Sequence, residues 1–139
     1  MKEVEELKEE ALYRNKQPKM YLWDWSQVNN ESARLENMVA SHLLKFTHYL
    51  RDAQGWKTEL FYWRDIDGRE IDFVVSVDGE LWLAIEVKSS DKDIAPPLIY
   101  FKKKTGVKFA YQLVDKSGVD VLKDGIRIMS VEKFLSGLV

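Results

Sequence analysis

The stretch EIDFVVSVDGELWLAIEVKSS, residues 70–90, predicts two β-strands, at about 70–77 and 80–88, joined by an Asp-Gly turn. Most of the stretch is apolar, yet Asp72, Glu86 and Lys88 stand inside the two apolar runs. A carboxylate or ammonium in such a position is costly to bury unless it is paired with another charge or bound to a metal. The three charges therefore make this hairpin the first candidate for a functional site.

Apolar periodicity and turn residues predict the elements on either side of this hairpin. They are a helix over 30–54 ended by Gly55, strands at 57–63, 107–114 and 125–130, a short helix near 97–104, and a last helix capped by Ser130. The order helix, three strands, helix, strand predicts an α/β fold in which helices pack on one sheet.

Composition is that of one globular domain, with 139 residues of which 45% are hydrophobic. The absence of cysteine excludes disulfides and thiolate zinc sites, and it suits a reducing cytoplasm. No apolar run approaches the roughly 18 residues of a membrane span, and no signal peptide is recognisable. We therefore expect a cytoplasmic protein without membrane contact, whose net charge of −2 gives no global sign of nucleic-acid binding.

The amino-terminal part differs in character from the rest of the chain. Residues 2–15 predict a highly charged helix with a narrow apolar stripe, and Pro18 interrupts helical geometry just beyond it. We therefore expect residues 1–19 to form a helical extension or linker. Residues 20–139 are then the folded domain, beginning with an aromatic-rich extended segment at 20–28.

The geometry of the turn determines whether the two acids of the hairpin meet, because side chains alternate between the faces of a strand. A two-residue loop pairs residue 77 with residue 80 and places Asp72 and Glu86 on opposite faces. A three-residue loop pairs 76 with 80 and makes Glu86 the diagonal neighbour of Asp72 on one face. Asp-Gly serves either turn. A functional site requires the odd-length loop or a bulge, and this is our prediction.

With the acids on one face, their chemistry is that of a metal site. Two carboxylates a few ångströms apart repel each other unless one is protonated or a cation lies between them. Oxygen ligands favour Mg²⁺ or Mn²⁺, and Lys88 projects to the same face as Glu86, where it can orient a water or a phosphate. This set suits metal-assisted phosphodiester hydrolysis. The alternative is an ordinary ion pair on an exposed sheet edge, and the loose spacing alone does not decide between them.

The segments EIDFVV and IEVKSS resemble the PD-(D/E)xK nuclease superfamily, which has a restriction-endonuclease-like fold. More narrowly, the chain resembles a domain of unknown function found at the carboxyl end of AAA+ ATPases in archaea and bacteria. The matching segments occur in the same order over about 20–90: KMYLWDWS, ARLENMVASHLL, LFYWRDIDGREIDFVV and LAIEVKSS. The resemblance implies a core of helix, three antiparallel strands, helix and strand, with helices flanking one mixed sheet.

The resemblance also implies roles for individual residues. Asp72 and Glu86 would bind Mg²⁺ or Mn²⁺ together with the backbone carbonyl of Val87. Glu36, on the long helix, would hold a metal-bound water or a second ion, and Lys88 would position or activate the attacking water. The implied function is Mg²⁺-dependent hydrolysis of DNA, and the alternative is a catalytically silent module that binds DNA or a protein, or regulates an ATPase.

The sequence departs from the family pattern at two points. Ile71 stands where the family name has proline, and the sequence contains no G-x-x-x-x-G-K-[ST] motif for an ATPase. We therefore expect a fragment or standalone relative of an ATPase-associated protein, with an AAA+ module as a partner in cis or in trans.

Four further cations are candidate substrate contacts: Arg64, Lys102, Lys103 and Lys104. Arg64 follows a strand beside the site, and the three lysines end the short helix. The lysines either contact a phosphate backbone or simply solvate the end of that helix.

Overall fold

The computed structural model describes residues 31–88 and 93–138, so the expected helix at 2–15 and the extended segment at 20–28 lie outside the described residues. The elements, numbered in chain order, are α1 (Glu31–Gln54), β1 (Thr58–Arg64), β2 (Glu70–Val77), β3 (Glu80–Lys88), α2 (Pro96–Thr105), β4 (Phe109–Val114), β5 (Asp120–Lys123), β6 (Ile126–Ser130) and α3 (Val131–Ser136). None of the helices within these ranges has an apolar stretch long enough to cross a bilayer.

The strands form one six-stranded sheet in the order β1-β2-β3-β4-β6-β5. The pairs β3–β4 and β4–β6 are parallel, and the other three pairs are antiparallel. The expected α/β fold with helices on a mixed sheet is confirmed. The edge strand β5 was not predicted, because its exposed sequence DVLK lacks a regular apolar alternation.

Each face of the sheet is covered by helices, and each carries its own apolar cluster. α2 covers one face, where Leu98 and Phe101 are fully buried against Val74 and Ala84. α1 and α3 cover the other face, which includes Val39, Leu43, Phe73, Ile85 and Phe134. Complete burial of each such large side chain stabilises the fold by about 2 kcal/mol.

The helix ends follow the signals in the sequence. Gly55 leaves α1 in a left-handed conformation with its N–H donating to the carbonyl of Arg51, and Gly106 ends α2 in the same way at Lys102. Ser130 caps α3 by accepting a hydrogen bond from the N–H of Lys133. The three predicted helix ends are therefore confirmed.

Candidate active site

The turn between β2 and β3 has two residues, so the odd-length loop is excluded and the predicted common face of the two acids depends on a bulge. Asp78 and Gly79 both have positive φ, of 52° and 85°, and Val77 pairs with Glu80 across them. Positive φ at both central positions is the geometry of the tight hairpin turn for which Asp-Gly is preferred. This turn alone would place the two acids of the hairpin on opposite faces.

A β-bulge in β3 reverses that outcome. Ser76 pairs with Leu81 and Val75 with Leu83, so Trp82 is an extra residue in β3. The indole of Trp82 stacks on Phe46 of α1 with ring centroids 5.9 Å apart. An extra residue shifts the register by one position and exchanges the two faces beyond it.

Because of this shift, Phe73 pairs with Ile85, and Asp72 comes opposite Glu86. The prediction that a bulge or odd-length loop brings the acids together is confirmed, although they lie directly opposite each other rather than diagonally. The bulge also places Leu81 and Leu83 on opposite faces of the sheet, although plain alternation along β3 would put both on one face.

A second irregularity lies at Asp72 itself, in the pairing of β1 with β2. Phe61 pairs with Val74 and Trp63 with Ile71, so Tyr62 alone faces both Asp72 and Phe73. Ile71 consequently joins the cluster under α2, whereas Phe73 joins the cluster under α1. The common face that plain alternation along β2 predicts for these two residues is therefore wrong. Bulges of this kind redirect a side chain or end a ladder, often next to an active site.

The two carboxylates bridge the strands where the regular pairing of β2 with β3 ends. The backbone N–H of Asp72 donates to Oε1 of Glu86 at 3.1 Å, and the N–H of Val87 donates to Oδ2 of Asp72 at 2.9 Å. Each carboxylate therefore takes the place of a backbone acceptor on the opposite strand. The pair is fixed by the sheet and not by flexible loops.

Burial and the facing acid make the Glu86 carboxyl hard to ionise. Glu86 is 6% exposed. Burial raises its pKa to about 8, and the charge of Asp72 and the side-chain hydrogen bond between the two residues act in the same direction. The ammonium of Lys88 opposes this rise in the pKa, with its Nζ 3.8 Å from Oε2 of Glu86. Near neutral pH one proton thus lies on the pair.

Glu36 lies in the first half of α1 and is partly buried. Thr58 donates to the carbonyl of Thr47, which fixes the carboxyl half of α1 beside the far end of β2. Within 31–88 and 93–138, no three acidic or histidine side chains gather closely enough to hold a metal ion. Asp72 and Glu86 therefore form a pair, and the role of Glu36 stays a prediction.

Residues 31–134 match the family described as a domain of unknown function, DUF4143. The chain belongs to this family. No curated protein and no solved structure matches it. Membership of an uncharacterised domain family is therefore established, whereas the PD-(D/E)xK assignment of this DUF4143 domain stays a prediction.

The candidate substrate cations of this DUF4143 domain lie at two ends of the sheet. Arg64 pairs with Glu70 across β1 and β2, two residues from Asp72. The three lysines end α2, where Lys102 donates to the carbonyl of Val107 just before β4. β4 runs about 16 Å from there to its other end, beside Lys88. The lysines complement the negative end of the helix dipole, and Nζ of Lys104 lies 3.4 Å from the hydroxyl of Tyr100. Their contact with a substrate stays a prediction.

Gln112 is a neighbour of the site that sequence reasoning missed. It pairs with Glu86 across the parallel strands β3 and β4, and it is completely buried. Its side chain accepts from the N–H of Ala95 at 2.8 Å and donates to the carbonyl of Asp93 at 2.7 Å. The signal was available, because a polar residue inside the apolar run FAYQLV raises the same question as the charges in the hairpin.

Proposed function

We propose that this domain hydrolyses DNA phosphodiester bonds with Mg²⁺ or Mn²⁺ at Asp72, Glu86 and Lys88, as a PD-(D/E)xK-type nuclease. One observation supports this proposal above the others. A buried carboxyl group faces a second carboxylate, which raises its pKa, and an ammonium lies 3.8 Å away. Strongly perturbed carboxyl groups that carry a specific charge partner are typical of functional sites.

The donor set fits a small divalent cation. Mg²⁺ commonly binds through one or two carboxylates and completes its shell with waters and substrate phosphate oxygens. Asp72 and Glu86 supply two hard oxygen ligands at one point, and a cation between them would replace the shared proton. The carbonyl of Val87 and the carboxylate of Glu36 are the further ligands that the family resemblance implies.

Each of the three side chains would have a separate role in the hydrolysis. A bound Mg²⁺ supplies charge stabilisation for the phosphoryl oxygens and lowers the pKa of a water. Asp72 and Glu86 hold the reacting groups at a fixed point of the sheet, because their backbone contacts leave them little freedom. Lys88, which is 48% exposed, would orient the attacking water and stabilise the negative charge of the phosphate.

Cleavage of supercoiled plasmid DNA tests the proposal. Wild-type protein should nick the plasmid in Mg²⁺ or Mn²⁺, and Glu86→Gln and Asp72→Asn should not. Lys88→Ala should slow cleavage by about 100-fold or more, since a positioned proton-transfer or charge-stabilising group is worth at least that much. Glu80→Gln is the matched control at the exposed far end of β3 and should cut like wild type. A wild-type protein that leaves the plasmid intact in both metals would refute the proposal.

The second candidate is a module that binds DNA or a protein, or regulates an AAA+ ATPase, without cutting. It is favoured by the hydrogen bonds of the acid pair, which tie β2 to β3 and would serve a purely structural purpose equally well. In that case plasmid stays intact, while labelled DNA or an ATPase partner still binds, and Glu86→Gln changes stability alone. Either function is compatible with the expected cytoplasmic location.

A further inference from the structure

The chain that returns from β3 to α2 passes beside the acid pair, and Gln112 fixes it there. Gln112 and Glu86 are partners on the neighbouring parallel strands β4 and β3, whose backbones run about 4.8 Å apart. Their side chains leave the same face of the sheet. It is the face covered by α2, because Ala84 and Ala110, each two residues earlier in its strand, belong to the cluster under α2. Gln112 therefore lies directly beside the buried acid.

Residues 93–95, called the strap below, precede α2 and are bound to Gln112 at both ends. The Gln112 side chain accepts from the N–H of Ala95 at 2.8 Å and donates to the carbonyl of Asp93 at 2.7 Å. Ile94 and Ala95 are buried in the cluster under α2. Backbone groups of a buried segment need such partners, so these two hydrogen bonds keep the strap against β4, one strand away from Glu86.

The exposure of side chains along β3 changes at the level of the strap. Glu86 is buried on this face, whereas Lys88, two residues further along the strand, is exposed. The strap is bound at the level of Gln112 and hence of Glu86, so it closes the site on the side of β4 and leaves it open toward Lys88. On the side of β2, the N–H of Asp72 donates to the carboxylate of Glu86. The buried acid thus lies between β2 and the strap.

We propose that Gln112 is a positioning residue of the acid pair: through the strap it keeps Glu86 packed against Asp72, in the geometry that a shared metal ion requires. Residues that orient metal ligands without touching the metal typically contribute about 10- to 100-fold to metal affinity. This inference rests on the proposed metal-dependent function. It adds a role at the site to a side chain whose two hydrogen bonds also fix the start of α2.

The affinity for Mn²⁺ separates positioning from a purely structural role. Gln112→Met keeps the length of the side chain but makes neither hydrogen bond, and it should bind Mn²⁺ about 10-fold or more weakly in a calorimetric titration. Thr105→Val is the matched control at the other end of α2. The buried Thr105 hydroxyl donates to the carbonyl of Phe101 and accepts from the N–H of Val107, so this variant also loses two hydrogen bonds. It should lose stability and bind Mn²⁺ like wild type. Wild-type affinity in folded Gln112→Met would overturn the proposal.

Amide hydrogen exchange tests the same inference without a metal. The N–H groups of Asp72 and Val87 bond to the two carboxylates, so their exchange rates report the geometry of the pair. Both amides should exchange about 10-fold or more faster in Gln112→Met than in Thr105→Val, after correction for the global stability of each variant. Equal rates would overturn the positioning role. If wild type binds no Mn²⁺, the proposed function fails, and these rates alone decide the inference. Gln112→Asn, whose carboxamide is too short to reach the strap, replaces Gln112→Met if that variant does not fold.

Discussion

Glu86 shows how strongly one position can be affected by its surroundings. Its carboxyl group is buried and faces a second carboxylate, whereas the partly exposed Lys88 and the backbone N–H of Asp72 favour its charged form. Burial raises its pKa to about 8, well above the value of 4.5 for an ordinary glutamate. Between these two values the folded chain binds one more proton than the unfolded chain. The contribution of Glu86 to the free energy of unfolding is therefore fully present below about pH 4.5, and it is lost as the pH rises toward 8.

This pH dependence can be tested with Glu86→Gln, which keeps the shape of the side chain and stays neutral. The free energy of unfolding of the wild type should fall, relative to that of the variant, by on the order of a few kcal/mol between pH 5 and pH 9. Urea unfolding at three pH values measures the difference. Glu80→Gln, on an exposed carboxylate, should follow the wild-type curve, and parallel curves for wild type and Glu86→Gln would contradict the assignment.

At the scale of elements, the site depends on irregularities in two strands rather than on the strands themselves. The tight Asp78-Gly79 turn and the extra residue Trp82 together put Asp72 opposite Glu86, and neither would do so alone. Trp82 is fixed by its stacking on Phe46 of α1, so packing of the helix supports the register of the hairpin. The long helix thus contributes to the site even before any role of Glu36 is considered.

The start of α2 depends on a single side chain of β4. Gln112 satisfies the N–H of Ala95 and the carbonyl of Asp93 inside the protein. Gln112→Leu leaves both backbone groups without a partner and should lower the free energy of unfolding by about 2–4 kcal/mol. Urea denaturation measures this loss. Gln54→Leu, the same substitution at the exposed end of α1, should change stability by less than about 0.5 kcal/mol, and equal effects at the two sites would refute the role of Gln112.

At the scale of the molecule, most of the architecture could be predicted from periodicity. The strands at 70–77 and 80–88 were predicted with their observed bounds, and α1 and α2 agree within one or two residues. These elements have regular apolar patterns and clear ends, such as Gly55, Pro96 and Gly106. The short edge strand β5 has neither, since both of its apolar side chains are exposed.

The site was harder to predict than the fold, because its geometry depends on tertiary contacts. Asp72, Glu86 and Lys88 were recognised as unusual from their apolar neighbours alone. The bulge at Trp82 was not assignable, since a tryptophan fits a regular strand as well as a bulged one.

The net charge of the whole domain does not favour binding to a nucleic acid. The net charge is −2, and Arg69 and Arg127 are already paired with acids. Strong binding to DNA needs several phosphate contacts, so a bound metal ion and a few local cations would have to supply the attraction. An attached or partner module, such as the expected ATPase, would raise the effective DNA concentration at the site.

Calorimetric titration with Mn²⁺ tests the metal site most directly, when it is carried out at about pH 7 in two buffers of different ionisation enthalpy. A cation that binds between Asp72 and Glu86 must displace the proton of Glu86, so wild type should release about one proton per ion bound. Asp72→Asn and Glu86→Gln should bind no Mn²⁺, and Glu80→Gln should behave as wild type. A wild-type protein that binds no Mn²⁺, or variants at Asp72 and Glu86 that bind it unchanged, would contradict the assignment of this pair as a metal site.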